Sequence, residues 1–280
     1  MIIKKEFVHN GLSLSYLEKD NGADSSIIFL HGLNNRKEYY LKVMDLIDTH
    51  NCFSLDFRGH GDSSAEGEFS LRSFSLDVLG FMKHLKLTSN VYIVSSSFSA
   101  WVLSSLEEQI EVQGIFFLDA GYYKPSLEYM GNNEIITLPI FNSFNEINKS
   151  VLSDLSELEN EGIYLEKSMK QYIYDRLTSI YKPITCKTKS YEFILNNSQF
   201  NSLLNDLNNK DDIIIKNDNL ILVLASSKNY NINQFPIRHN ELKKNEKLFK
   251  KVLVIPNSDH LLMLTSPNEL KSIIMNNLSI

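Results

Sequence analysis

The chain has 280 residues, 43% of them hydrophobic, enough to bury one large core as a single domain or a domain carrying an insertion. A net charge of −6 gives no electrostatic footprint for nucleic acid or an anionic membrane, and no uncharged apolar run is long enough for a membrane span. Two cysteines, Cys52 and Cys186, are too few and too far apart for a disulfide framework or a zinc site, and read as small buried apolar residues.

In chain order, the N-terminal stretch carries scattered charges and lacks a signal-peptide core, so a cytoplasmic protein is expected. Segments 2–8 and 12–18 read as strands joined by an Asn10-Gly11 turn, a hairpin signal. SIIFL (26–30) suits a strand buried on both faces. Residues 36–47 show helical spacing through Tyr39, Tyr40, Val43, Leu46 and Ile47. A short strand at 52–55 leads into the glycine-rich FRGHGDSS. Then 71–85 reads as a helix, 91–94 as a strand, 98–108 as a helix and GIFFL (114–118) as a strand. Such repetition implies right-handed crossovers and a mostly parallel sheet.

The pattern changes after Gly121. From there to Asn217 the chain looks helical and irregular, rich in Asn, Tyr and Glu, with no clear strand. Strands resume at 220–224 and 252–255, and a last helix covers 267–278. The expected organisation is a core of 1–121 and 218–280 with a helical lid inserted at 122–217. The Asn-rich stretch 196–219 reads equally as a flexible linker.

Ser97 sits in VYIVSSSFSA (91–100), where an apolar strand ends in small residues and a helix opens. A nucleophile elbow needs that layout: the turn is sharp, its central serine is strained, and the residues two before and two after must be small. Ser95 and Ser99 stand where the G-x-S-x-G pattern has glycines. Upstream, Leu30-His31-Gly32-Leu33 can aim the backbone N–H of Leu33 at a developing oxyanion, with the N–H of Phe98 as second donor. His31 itself reads as a residue that holds the loop.

At LDFRGHGDSS (55–64) the chain resembles the α/β-hydrolase superfamily, whose members carry a similar D-x-R-G-x-G-x-S loop. The resemblance implies that Arg58, His60 and Asp62 are scaffold. No metal is expected, because His31, His60 and His84 lack paired ligand spacing. PNSDH (256–260), ahead of a helix opened by Ser266-Pro267, is similar to the superfamily's C-terminal histidine loop. The resemblance thus implies His260 as general base for Ser97. It covers 1–121 and 218–280, and implies an α/β-hydrolase fold: a mostly parallel central sheet flanked by helices, with an inserted helical lid.

A Ser–His pair needs a third group to hold the imidazole. In the superfamily that acid commonly follows the next-to-last strand, where this chain has Asn229. Some members, haloalkane dehalogenases among them, carry it after the strand that follows the nucleophile's helix, where this chain has Asp119. An amide adds no charge, and an Asp-to-Asn change in a serine protease costs about 10⁴ in kcat. Asp119 is therefore favoured, with Asn229 the alternative at the usual position. Asp259, adjacent to His260, points the wrong way.

Dehalogenases and epoxide hydrolases of the superfamily use an aspartate at the elbow centre, so Ser97 argues against both. The resemblance implies a serine hydrolase acting on a small, largely apolar ester or thioester, without a cofactor. Amide hydrolysis, carbon–carbon bond hydrolysis and cofactor-free haloperoxidase chemistry use the same triad. Tyr122 and Tyr123 are candidate substrate contacts, with Tyr129, Met130, Ile140, Phe144 and Tyr164 among the further apolar residues of the insertion. The expected partner is a small-molecule acyl substrate, not nucleic acid or membrane, and oligomeric state is not read from the sequence. Two other classes stay open: an acyltransferase or carrier-linked thioesterase, and a catalytically silent ligand binder. The elbow's flanking serines and Asn229 are the features that favour the silent binder.

Overall fold

A computed structural model describes residues 1–106, 110–123, 137–184, 190–209, 217–228 and 230–278. Its strands are β1 (Ile2–His9), β2 (Leu12–Lys19), β3 (Ser26–Leu30), β4 (Asn51–Leu55), β5 (Val91–Ser96) and β6 (Gly114–Leu118), then β7 (Tyr181–Pro183), β8 (Tyr191–Phe193), β9 (Leu220–Ser226) and β10 (Lys251–Pro256). Eight form one sheet in the order β1-β2-β4-β3-β5-β6-β9-β10. β2 runs antiparallel to β1 and β4, and every pairing from β4 to β10 is parallel. β3, β5 and β6 are buried at every position, in keeping with the apolar runs IIFL, VYIV and IFFL that they contain. β1, at the edge, carries Lys4, Lys5 and Glu6 on exposed positions. The β1–β2 turn needs two residues with positive φ, and Asn10 and Gly11 supply them at 49° and 81°.

The helices are α1 (Leu41–Asp45), α2 (Leu71–His84), α3 (Phe98–Leu103), α4 (Phe144–Asn160), α5 (Lys167–Thr178), α6 (Asn197–Asn208), α7 (Pro236–Asn245), α8 (Leu262–Thr265) and α9 (Pro267–Asn277). One apolar layer joins Phe81 of α2 and Leu103 of α3 to the sheet, and includes Leu203 and Leu207 of α6. The layer on the opposite face joins Val43 of α1, Met263 of α8 and Ile274 of α9, with Ile147, Val151 and Ile173 from α4 and α5. Among the described residues, no helix is long and apolar enough to cross a membrane.

Four differences from the sequence reading have local causes. The helix expected over 36–47 is a 3₁₀ turn, Lys37–Tyr40, followed by the short α1. Lys37 donates from its backbone N–H and its ammonium to Asp56, drawing the first turn onto the next loop. The ammonium of Lys19 then takes the carbonyls of Met44, Asp45 and Ile47, closing the helix end. Second, α3 ends at Leu103, not 108; Ser104 and Ser105 bond back to the carbonyls of Ala100 and Trp101, and residues 107–109 lie outside the described residues. Third, the stretch between β6 and β9 holds a small antiparallel ribbon, β7–β8, where no strand was expected. Of the two readings of the Asn-rich stretch, helix or linker, the helical one holds over Asn197–Asn208: Asn196 accepts from the N–H of Gln199, whose side chain reaches back, and α6 follows. Fourth, the polar helix α7 was not anticipated, since only Arg238 on it is buried.

Candidate active site

β5 delivers Ser97 to the carboxyl edge of the sheet at φ 50°, ψ −118°, a conformation that costs a non-glycine residue about 1–3 kcal/mol. Its N–H donates to Leu118 O on neighbouring β6 at 3.2 Å. The flanking serines are fully buried and hydrogen-bonded. Ser95 Oγ donates to Ser99 Oγ at 2.8 Å, and Ser99 Oγ lies 3.0 Å from Leu30 O and 2.8 Å from Ser96 O. Serine is therefore small enough for this turn and leaves neither flanking hydroxyl unmatched.

The His31-Gly32-Leu33 turn lies against the serine. A Cβ on Gly32 would stand 3.2 Å from Ser97 Cβ and 3.0 Å from Asn35 Nδ2, a tight approach that glycine makes without crowding. Two buried imidazoles hold this turn to the loop after β4. His31 Nε2 accepts from the N–H of Phe57 at 3.1 Å, which leaves its Nδ1 proton for Gly32 O at 2.7 Å. His60 Nε2 accepts from the N–H of Asn34 at 3.2 Å, and its Nδ1 donates to Arg58 O at 3.0 Å. Burial keeps both rings neutral: it holds His31 well below the ordinary histidine range and lowers His60 to about 4. Arg58 grips Asp77 through two bonds of 2.7 Å. Asp62 accepts from Lys37 Nζ at 2.6 Å, and buried Asp56 packs so closely under Gly61 that a Cβ there would meet its Oδ2 at 2.0 Å. In this structure Arg58, His60 and Asp62 all make bracing contacts.

Asp119 follows β6 at φ 52°. Its N–H donates to Val223 O at 2.8 Å, and its Oδ1 accepts from the N–H of Ala225 at 3.2 Å, so two backbone bonds tie it to β9. Oδ2 stands 2.7 Å from His260 Nδ1. Burial opposes a charged His260, but the hydrogen bond and charge of Asp119, with that of Asp259, outweigh it, and the imidazole sits above its ordinary pKa. Asp259 is turned to its own backbone, its Oδ1 accepting from the N–H of Leu261 at 2.8 Å.

Ser97 and His260 line one cavity of about 410 Å³. Among the described residues no hydrogen bond joins the two side chains; such contacts commonly close only as substrate binds. Leu33, Phe98 and Trp101 form one wall, and Phe200, Leu204 and Leu207 of α6 form another. Tyr123, Tyr230 and Arg238 complete the lining. Tyr122 does not reach it: this ring is 1% exposed and packs edge-on against Tyr123 at 4.8 Å. Tyr164, 88% exposed, faces away on the surface. Asn229, Tyr129, Met130 and Cys186 lie outside the described residues. Cys52 is buried, and its thiol is pushed up to about 12. No group of three His, Cys, Asp or Glu among the described residues is placed to hold a metal.

Several of these residues were missed from sequence. Phe200, Leu204 and Leu207 follow helical spacing, a signal hidden by the asparagines around them. Trp101 lies one turn beyond Ser97 on α3 and faces the same space. Tyr230 and Arg238 carry no sequence signal, since they reach the site only through the path of the chain after β9.

Comparison with known proteins agrees with this architecture. A solved structure of E-2-(acetamidomethylene)succinate hydrolase is similar with TM-score 0.69 and 15% identity, over 99% of this chain and 98% of that one. A thioesterase domain from the curacin biosynthetic pathway is similar with TM-score 0.61 and 16% identity, over 98% and 99%. The Cif epoxide hydrolase from Acinetobacter nosocomialis follows with TM-score 0.62 and 13% identity, over 99% and 89%. At such identities the likeness is one of fold alone. No curated protein sequence matches the chain. The family model described as "alpha/beta hydrolase fold" matches residues 26–267, most of the sequence, and with an eight-stranded, mostly parallel sheet between helices the chain belongs to the α/β-hydrolase fold family.

Proposed function

We propose that this protein is a serine hydrolase that cleaves a small, largely apolar carboxylic ester or thioester through an acyl-enzyme on Ser97. One observation carries the reading: a strained serine and a carboxylate-paired histidine open on the same apolar-walled cavity. Its volume, about 410 Å³, lies at the small end of ligand pockets, which run from about 300 to 1,000 Å³.

In this scheme His260 Nε2 takes the Ser97 proton as Oγ attacks the acyl carbon. Asp119 accepts the Nδ1–H and stabilises the imidazolium. The carbonyl oxygen gains charge facing the N–H groups of Leu33 and Phe98, and loss of one such donor raises a barrier by about 3–4 kcal/mol. The C–O or C–S bond then breaks and His260 returns its proton to the leaving alcohol or thiol. Water, deprotonated by the same base, releases the carboxylic acid and restores Ser97. Serine at the turn, rather than aspartate, separates this scheme from epoxide opening, although an epoxide hydrolase is among the similar structures. The similarity to a thioesterase domain is compatible with a thioester substrate.

A fluorophosphonate probe tests the reading. Stoichiometric labelling that disappears in Ser97→Ala is expected, whereas an unlabelled wild-type protein would mean a silent ligand binder. Rates on p-nitrophenyl esters and acyl thioesters, with and without an added alcohol, then separate hydrolysis from acyl transfer.

A further inference from the structure

We infer that Tyr230 is a positioning residue of this site: its hydroxyl, held by Arg238, fixes the Asp119 carboxylate and shares Oδ2 of that carboxylate with His260. The inference rests on the roles proposed above for Asp119 and His260. Tyr230 follows β9 and reaches across to the acid at the end of β6. It donates its single proton to Asp119 Oδ2, accepts from Arg238 Nη1 at 3.0 Å, and lies 3.3 Å from His260 Nδ1. A carboxylate oxygen has lone pairs for two donors, so the tyrosine and the imidazole bind it together. Arg238 lies over the rings of Tyr123 and Phe235, at 4.9 and 4.7 Å. Its bond into the hydroxyl oxygen strengthens that hydroxyl as a donor.

Two consequences oppose each other. Orientation favours catalysis, because with Oδ1 on the N–H of Ala225 and Oδ2 on Tyr230 the carboxylate cannot rotate away from the imidazole. Basicity is reduced, because the tyrosine proton and the Arg238 cation draw on the negative charge that sustains protonated His260. The charged and titratable groups around the ring are Asp119 after β6, Asp259 on its own loop, Tyr230 after β9 and Arg238 on α7. Glu161, after α4, is the next charge; it accepts from the Ser227 hydroxyl and acts on Asp259.

Tyr230→Phe removes only the hydroxyl and keeps the ring packed against Phe235, 5.4 Å away. Two readouts on the full chain are decisive: the His260 titration by ¹H–¹⁵N NMR, and the pH dependence of fluorophosphonate inactivation. We expect the His260 midpoint to rise by about half to one pH unit in both. We also expect kcat on a p-nitrophenyl ester to fall about tenfold with KM unchanged. Arg238→Gln should move the midpoint in the same direction, and it stands in if the phenylalanine variant does not fold. An unchanged midpoint in a folded variant would overturn the positioning role. The NMR titration needs no turnover, so the two failures separate: an unlabelled wild type with a shifted Tyr230→Phe midpoint sinks the hydrolase reading alone. A labelled wild type with an unmoved midpoint sinks this inference alone.

Discussion

His260 and the pair His31–His60 are the same side chain in opposite settings. His260 has a carboxylate 2.7 Å from Nδ1 and lines a cavity, and its pKa is raised. His31 and His60 are fully buried and hydrogen-bonded to backbone groups, and both pKa values are lowered. The Asp56 carboxylate stands 4.0 Å from His31 Nε2, beyond hydrogen-bond reach. One imidazole is poised to change its charge, and the other two are useful because they do not. Full burial without a carboxylate in hydrogen-bond reach makes a histidine a fixed bridge; partial exposure with a carboxylate bonded to Nδ1 suits it to carry a proton.

The sharpest way to break this contrast is to remove each ring. His260→Gln should cut kcat by about 10⁶-fold with the fold intact. His60→Gln should leave the folded protein within about tenfold of wild-type activity while lowering its urea midpoint, since an amide does not hold both of the ring's hydrogen bonds in the same geometry. Inverted results would exchange the roles. Asp119→Asn comes next, with an expected loss of about 10⁴ in kcat, or about 5.4 kcal/mol of barrier. Steady-state rates beside a circular-dichroism melt would check it.

The two settings also predict stability slopes of opposite sign. His60 titrates at about 4 when folded and about 6.5 when unfolded, so the unfolded chain binds more protons between those values. Stability should fall as pH drops from 6.5 toward 4, by about 3 kcal/mol from this group, and the His60→Gln variant should show a shallower slope in urea titrations. His260, raised by Asp119, contributes stability below its unfolded value and loses it as pH rises through its folded one. The smallest effect is expected for Asn229→Ala, within about threefold of wild-type kcat if Asp119 carries the charge. A loss comparable to that of Asp119→Asn would move the acid role to the loop after β9.

How much was legible follows from how each element is stabilised. β3 and β6 have the bounds read from SIIFL and GIFFL, because a strand buried on both faces must be apolar throughout. The turn at Ser97 was legible because its neighbours are small; the place of Asp119 at the end of β6, beside His260, was legible only through the resemblance to superfamily members that carry an acid there. The cavity wall from α6 was not, since four apolar residues among asparagines look like a linker until Asn196 is seen to cap a helix. β7 and β8 are three residues each, too short for an alternation to register. Tyr122 and Tyr123 are adjacent and chemically alike, yet only Tyr123 lines the cavity. Lys37, fully buried against Asp56, belongs to a residue type seldom found inside unless paired.

The bond from Ser97 N–H to Leu118 O has a consequence for the order of assembly. It joins the proposed nucleophile to the residue just before the proposed acid, so both sit on one parallel strand pair made within a short span of chain. The imidazole comes from 141 residues beyond Asp119. During synthesis, which proceeds from the N-terminus, that strand pair can form long before its base has been translated. A nascent chain would therefore hold the serine turn beside the carboxylate first; the wall from α6 comes next, and the imidazole arrives last, when β10 docks beside β9.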